Sequence, residues 1–167
     1  MMSPASTSHD ASSKSTVLVK KAVTVRAPIE RAFRVFTAEM SSWWPLATHK
    51  IGAAAAKEAV IEPFVGGRWF ERGVDGSECD WGKVLTWSPP HRLVLAWEIT
   101  ADWKYDAAIH TEVEVRFVAE GSATRVELEH RCLEAYGDRA EEMRGILGSP
   151  GGWGGMLDTF AERASAG

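Results

Sequence analysis

The stretch SPGGWGGMLDTF, residues 149–160, decides the fold class. Ser149 and Pro150 are typical of a helix cap and first turn. An apolar stripe at helical spacing follows, formed by Trp153, Met156, Leu157, Phe160 and Ala164. Four glycines surround the tryptophan, although each disfavours a helix by about 0.8–1.0 kcal/mol relative to alanine. We expect a terminal helix that begins at this cap and passes closest to a sheet, or to a ligand, at the glycines. Trp153 would close one end of the space between helix and sheet. The alternative is that the glycines serve only tight packing of helix on sheet.

The chain before this helix is mostly predicted as β-strand. Alternation of apolar and polar residues predicts two strands, over 110–121 and 123–132, joined as a hairpin with one solvated face. The dry face of the first strand carries Thr111, Val113, Val115 and Phe117. Further strands are predicted in VLVKKAVTV, EAVIEP, GGRWFERG, SECDWGKVLTWS and HRLVLAWEIT.

Helices are predicted at two other places. APIERAFRVFT has proline at the first helical position and a stripe of apolar residues, and AEMSSWW can add a short second helix before Pro45. DRAEEMRGIL is also helical in pattern, whereas residues 46–57 are ambiguous between a loop and a short helix. This order predicts an α+β helix-grip fold. A curved antiparallel sheet of about six to seven strands surrounds a long C-terminal helix, with two short helices after the first strand.

Length and composition predict one soluble domain. The chain has 167 residues, of which 17–167 form the predicted domain, and 1–16 are predicted to be a disordered tail rich in Ser, Thr and Ala. The net charge of −4 and the short basic runs argue against a nucleic-acid partner. No signal-peptide core or membrane-length apolar run is found, so a cytoplasmic location without a membrane partner is expected.

The sequence offers no strong catalytic motif. Cys79 and Cys132 lack zinc-site spacing, and the five histidines show no metal pattern. A GxSxG nucleophile elbow and the lysine of a phosphate loop are also missing. We therefore predict no metal and no cofactor.

Several segments, taken in order, carry a family resemblance. They are APIERAFRVFT, SWWP, IEPFVGGRWFERG, WGKVLTWSPPHRLVLAWE, TRVELEH and GGWGGMLDTFAE. The chain resembles the START-like helix-grip superfamily, and within it the family of homologues of the heat-shock chaperone ATPase activator. This resemblance implies the fold across residues 17–165. It implies function less sharply, since members are mostly carriers of hydrophobic ligands and some are cyclases or hydrolases. Members that activate the chaperone carry a separate N-terminal chaperone-binding domain, which leaves a chaperone partner doubtful here.

Alternation along the strands predicts which side chains face the interior. Trp97 shares a face with Leu93 and Leu95, and Glu71 shares one with Trp69. Glu71 and His130 are the polar groups expected to point inward, either as acid or base or as satisfied structural groups. The predicted ligand-binding residues are Trp69, Glu71, Trp81, Trp97, Val113, His130, Trp153, Met156, Leu157 and Phe160.

Three functions remain open at this stage. The first is a binding protein for a small apolar or amphipathic ligand, held in a cavity between sheet and C-terminal helix. The second is a cofactor-independent enzyme that uses Glu71 or His130 as its acid–base group. The third is a co-chaperone or regulatory interaction module, which would show an exposed apolar patch and a filled interior. A free sheet edge also makes a homodimer conceivable, and no sequence feature decides this.

Overall fold

A computed structural model describes residues 16–167, so the predicted tail lies outside the described residues except for Thr16. Seven strands form one antiparallel sheet in the order β1-β7-β6-β5-β4-β3-β2. Their bounds are β1 Val19–Val25, β2 Ala56–Ile61, β3 Arg68–Gly73, β4 Glu78–Ser88, β5 Arg92–Trp97, β6 Thr111–Glu120 and β7 Ala123–Arg131.

Three α-helices and two 3-10 segments complete the described fold. Helix α1 is Ile29–Thr37, and a single 3-10 turn, Met40–Ser42, follows it. A second 3-10 segment, Leu133–Arg139, leads into α2, Ala140–Leu147, and the chain ends with α3, Trp153–Ser165. The predicted α+β class, the strand number and the two short helices after β1 are confirmed. Residues 46–55, ambiguous in sequence, are turn and loop.

The inner face of the sheet is apolar because alternate residues of each strand point to the same side. In β6 the four predicted dry-face residues are all buried. The predicted solvated face differs at one position: Glu114 is buried, because Arg131 of β7 binds its Oε1 at 2.5 Å and Arg92 of β5 binds its Oε2 at 2.6 Å. Ion pairs therefore shield part of the outer surface of the sheet.

Helix α3 packs across β1 and α1 with its predicted stripe buried. It begins at Trp153, later than the predicted cap. Ser149 and Pro150 instead belong to a turn in which the Gly152 amide donates to the Ser149 carbonyl at 2.9 Å. Between residues 16 and 167 no helix has the length and apolar character needed to cross a membrane.

Candidate functional site

Five indoles and one imidazole meet between the sheet and α3, and we call this group the aromatic interior. Neighbouring ring centroids lie 5.0–6.2 Å apart, most of them edge to face or tilted. Such geometries are the favoured ones for aromatic pairs. All six side chains belong to buried residues: Trp44, Trp69, Trp81, Trp97, His130 and Trp153.

A chain of hydrogen bonds crosses one side of this group. The Trp153 indole, which can only donate, gives its proton to His130 Nδ1 at 3.0 Å. His130 is therefore protonated on Nε2, which donates to Thr111 Oγ1 at 2.9 Å. The Thr111 hydroxyl then donates to the Trp97 carbonyl at 3.0 Å. Every polar hydrogen in this chain has an acceptor, so the ring of His130 is fixed in one tautomer.

Burial holds His130 neutral. The residue is fully buried, and desolvation of the imidazolium lowers its pKa from 6.5 to about 3. Its one lone pair is already taken by the Trp153 indole. A group with both properties suits the support of α3 better than proton transfer near neutral pH.

Glu71 is a buried carboxylate that accepts three N–H groups. Its Oε1 receives the Ile51 amide at 2.7 Å and the Trp81 indole at 2.8 Å, and its Oε2 receives the Gly52 amide at 3.0 Å. No hydrogen bond joins Glu71 to His130 among the described residues. The two predicted acid–base candidates therefore hold different parts of the site.

The loop of residues 46–55 lies against the aromatic interior at Trp44 and against Glu71. Besides Glu71, it is held by the His49 Nε2–H, which donates to the Gly151 carbonyl at 2.6 Å, and by the Trp44 indole, which donates to the His49 carbonyl at 2.9 Å. None of its ten residues is fully buried. Segments with few buried side chains open at low free-energy cost, so we expect this loop to open more readily than the strands beside it.

The glycines before and within α3 are required by close contacts with the neighbouring backbone. A Cβ on Gly152 would lie 2.3 Å from the Leu147 carbonyl oxygen, and one on Gly155 would lie 2.0 Å from the Pro150 carbonyl oxygen. The closest approach is therefore to the end of α2 and to the turn itself. Gly154 and Gly155 also line a groove beside β1, and our expectation that the glycines approach a ligand stays a prediction.

The other predicted site residues divide between two places. Val113 lies opposite His130 in the β6–β7 register, beside the aromatic interior. Phe160 is at the other end, against Phe36 and Trp43 at 5.2 and 5.4 Å between ring centroids. Met156 and Leu157 lie buried on α3, and Leu157 also lines a groove of about 330 Å³ beside β1.

Sequence reasoning missed three members of the site. Trp44 contacts four other tryptophans, and the tandem SWWP was the signal for it. His49 lies in the segment that the sequence left ambiguous, and its hydrogen bond to the Gly151 carbonyl fixes its position. Thr111 was assigned only to a dry face, whereas its hydroxyl accepts the Nε2–H of His130, whose tautomer the Trp153 indole fixes.

One indole in the aromatic interior has no hydrogen-bond partner. The Trp97 Nε1 is buried from solvent and lacks an acceptor among the described residues. The indole nitrogens of Trp44, Trp69, Trp81 and Trp153 all find one. An unsatisfied buried donor is uncommon in proteins and calls for a specific explanation.

The described residues, 16–167, contain no cluster of three or more His, Cys, Asp or Glu side chains arranged to hold a metal ion. Cys79 and Cys132 are not joined by a disulfide bond.

A sheet curled around a terminal helix, with an aromatic interior between them, defines a START-like helix-grip domain. The chain belongs to the family described as "Activator of Hsp90 ATPase homolog 1-like protein", whose model matches residues 26–165. The predicted superfamily and family are thus confirmed. A comparison with curated proteins gave no match.

Two solved structures are similar in both sequence and fold. An anthrahydroquino-gamma-pyrone synthase, Txn09, is 39% identical over 89% of this chain and 97% of its own, with a TM-score of 0.62. CalC, a self-sacrificing resistance protein from Micromonospora echinospora, is 31% identical over 89% of this chain and 94% of its own, with a TM-score of 0.67. Protein NE0264 from Nitrosomonas europaea, 14% identical over 90% of this chain and 95% of its own (TM-score 0.63), shares the fold.

Proposed function

We propose that this protein binds a small, flat, largely apolar molecule between its sheet and α3. The aromatic interior carries the proposal, because six rings that offer both faces and edges suit an aromatic ligand. Kinship supports the same class, since the synthase at 39% identity is named for a fused aromatic product.

Entry of the ligand requires the 46–55 loop to move, because the rings of the aromatic interior touch one another. Opening of the 46–55 loop breaks the hydrogen bond between His49 and Gly151. It also breaks the two hydrogen bonds that backbone N–H groups of the loop donate to the Glu71 carboxylate. It uncovers Trp44, whose indole is bonded to the loop at the His49 carbonyl. We therefore assign the loop as the entry route and Trp44 as the ring that moves first.

Tryptophan fluorescence tests this proposal. Anthraquinone-2-sulfonate, a flat and soluble quinone, is titrated into the protein, and we expect saturable quenching at micromolar concentration with one ligand per chain. The matched control is Trp103→Phe, which removes an exposed indole outside the aromatic interior. The control should leave saturation unchanged. Quenching that rises linearly without saturation, or is lost in Trp103→Phe, would contradict the proposal.

A cofactor-independent cyclase is the second candidate, and the similarity to a synthase favours it. Its substrate class would be an ortho-hydroxyaryl 1,3-diketone, which closes to a γ-pyrone by attack of the phenol oxygen on a carbonyl and loss of water. Mass spectrometry of such a substrate, with and without protein, detects this dehydration. Unchanged turnover in both Glu71→Gln and His130→Gln would remove these residues as the acid–base groups.

The interaction module remains the outcome to expect if no aromatic probe binds. The exposed apolar residues Phe64 and Val65, in the β2–β3 loop, would then be the surface to test. We further propose that the protein acts in the cytoplasm without a nucleic-acid or membrane partner, in keeping with its net charge of −4.

A further inference from the structure

We infer that Trp97 is the specificity-determining hydrogen-bond donor of the aromatic interior, and that the ligand carries an oxygen acceptor, such as a quinone or pyrone carbonyl, at the edge of its ring system. This inference rests on the proposed function and adds the atom that recognises the ligand. It starts from the unpartnered Nε1 of Trp97, a residue that is 4% exposed.

Two hydroxyl groups lie near this donor, and each already takes part in another hydrogen bond. The Thr111 hydroxyl accepts from His130 and donates to the Trp97 carbonyl. The Tyr136 hydroxyl donates to the Ile99 carbonyl at 2.7 Å. Burial raises the pKa of Tyr136 to about 12, and the side chains of Trp97 and Thr111 lower it, so the Tyr136 oxygen lies close to the Trp97 indole, although the two groups are outside hydrogen-bond geometry.

The surroundings of Trp97 fit a flat ligand. Its ring centroid lies 5.6 Å from Trp69, 5.1 Å from His130 and 6.2 Å from Trp153. A ligand that displaces one of these rings presents its edge to the Trp97 N–H group. That group is shielded from water and has no hydrogen-bond acceptor among the described residues. A carbonyl oxygen there recovers a buried hydrogen bond, whereas a hydrocarbon edge leaves the donor unsatisfied.

Rejection of ligands that lack an acceptor follows from the same cost. A site built with a buried donor discriminates strongly against an analogue that cannot pair with it. We expect the quinone to bind about tenfold more tightly than its hydrocarbon analogue, which corresponds to about 1.4 kcal/mol.

Isothermal titration calorimetry with two matched probes tests the inference. Anthraquinone-2-sulfonate and anthracene-2-sulfonate have the same fused-ring frame and differ in the two carbonyl oxygens. Wild type should prefer the quinone by about tenfold, and Trp97→Phe should abolish the preference while still binding both. The matched control is Trp103→Phe, which makes the same substitution at an exposed indole outside the aromatic interior, and it should keep the preference.

The outcomes separate this inference from the function on which it rests. If wild type binds both probes equally, or Trp97→Phe keeps the tenfold preference, the role of Trp97 is refuted and the binding function stands. If wild type binds neither probe, the proposed function itself fails.

A spectrum of the wild-type protein gives the same test should Trp97→Phe not fold. In a ¹⁵N-labelled sample the Trp97 indole N–H signal is identified through its contacts with His130 and Trp153. It should move downfield with the quinone, as expected for a newly formed hydrogen bond, and stay nearly constant with the anthracene. Equal movement with both probes would overturn the inference.

Discussion

Acidification below pH 6.5 should destabilise this protein, and His130 is the cause. Its folded-state pKa of about 3 lies below the ordinary value of 6.5. The unfolded chain therefore binds a proton at pH values where the folded chain does not. Stability is fully present above pH 6.5 and is lost as the pH falls toward 3.

The magnitude follows from the pKa difference. Each pH unit below 6.5 costs about 1.4 kcal/mol, so the free energy of unfolding should fall by about 2 kcal/mol between pH 7.5 and pH 5.0. Two carboxylates act mainly at lower pH, the half-buried Glu112 and the buried Glu114. Burial raises the pKa of each, and hydrogen bonds outweigh it: those to His110 and Arg131 for Glu112, and those to Arg92 and Arg131 for Glu114. Their contribution to the pH dependence of stability should be the same in wild type and in a His130 variant.

Urea unfolding at several pH values between 7.5 and 5.0 measures the effect. The comparison variant is His130→Gln, whose amide oxygen can accept from Trp153 and whose amide nitrogen can donate to Thr111. Wild type should lose about 2 kcal/mol more than this variant over the range. Parallel pH profiles for the two proteins would refute the assignment of His130 as a buried neutral group.

Three further predictions concern packing and the loop. Gly82→Ala places a Cβ 1.7 Å from the Ala96 carbonyl oxygen and should lower the unfolding free energy by about 1–3 kcal/mol. The control Gly145→Ala, in α2 with open space around it, should not lower it. Equal urea midpoints for the two variants would contradict this prediction. Thr111→Val leaves the His130 Nε2–H without an acceptor and should cost about 1–3 kcal/mol, with recovery in Thr111→Ser; a neutral Thr111→Val would exclude the hydrogen-bond chain. Glu71→Gln replaces one acceptor oxygen and should speed hydrogen exchange at the Ile51 and Gly52 amides about tenfold. The control Glu141→Gln, at an exposed residue, should leave this exchange unchanged. Unchanged exchange in Glu71→Gln would show that Glu71 does not hold the loop.

Much of the fold was predictable because it follows from local periodicity. Strand β6 alternates so regularly that its inner face was assigned residue by residue, and the stripe of α3 was assigned in the same way. The start of α3 was not predicted correctly, because Gly152 packs against carbonyl groups at the end of α2. No local sequence pattern indicates that contact.

The site was predictable in its membership but not in its bonding. Trp97, Trp153 and His130 could be placed inside by alternation and helical spacing. That Trp153 donates to His130, 23 positions earlier in the chain, depends on how α3 lies on the sheet. The same holds for Glu71, whose buried position was expected and whose binding of the 46–55 loop was not.

The most direct test of the account is to ask which tryptophans respond when a flat quinone binds. The indole N–H spectrum of the labelled protein is recorded during titration with anthraquinone-2-sulfonate. We predict saturable, one-to-one changes in the signals of Trp44, Trp97 and Trp153, with the exposed Trp103 unchanged. Changes confined to Trp103, or none at saturating ligand, would show that the aromatic interior is a packed core and not a binding site.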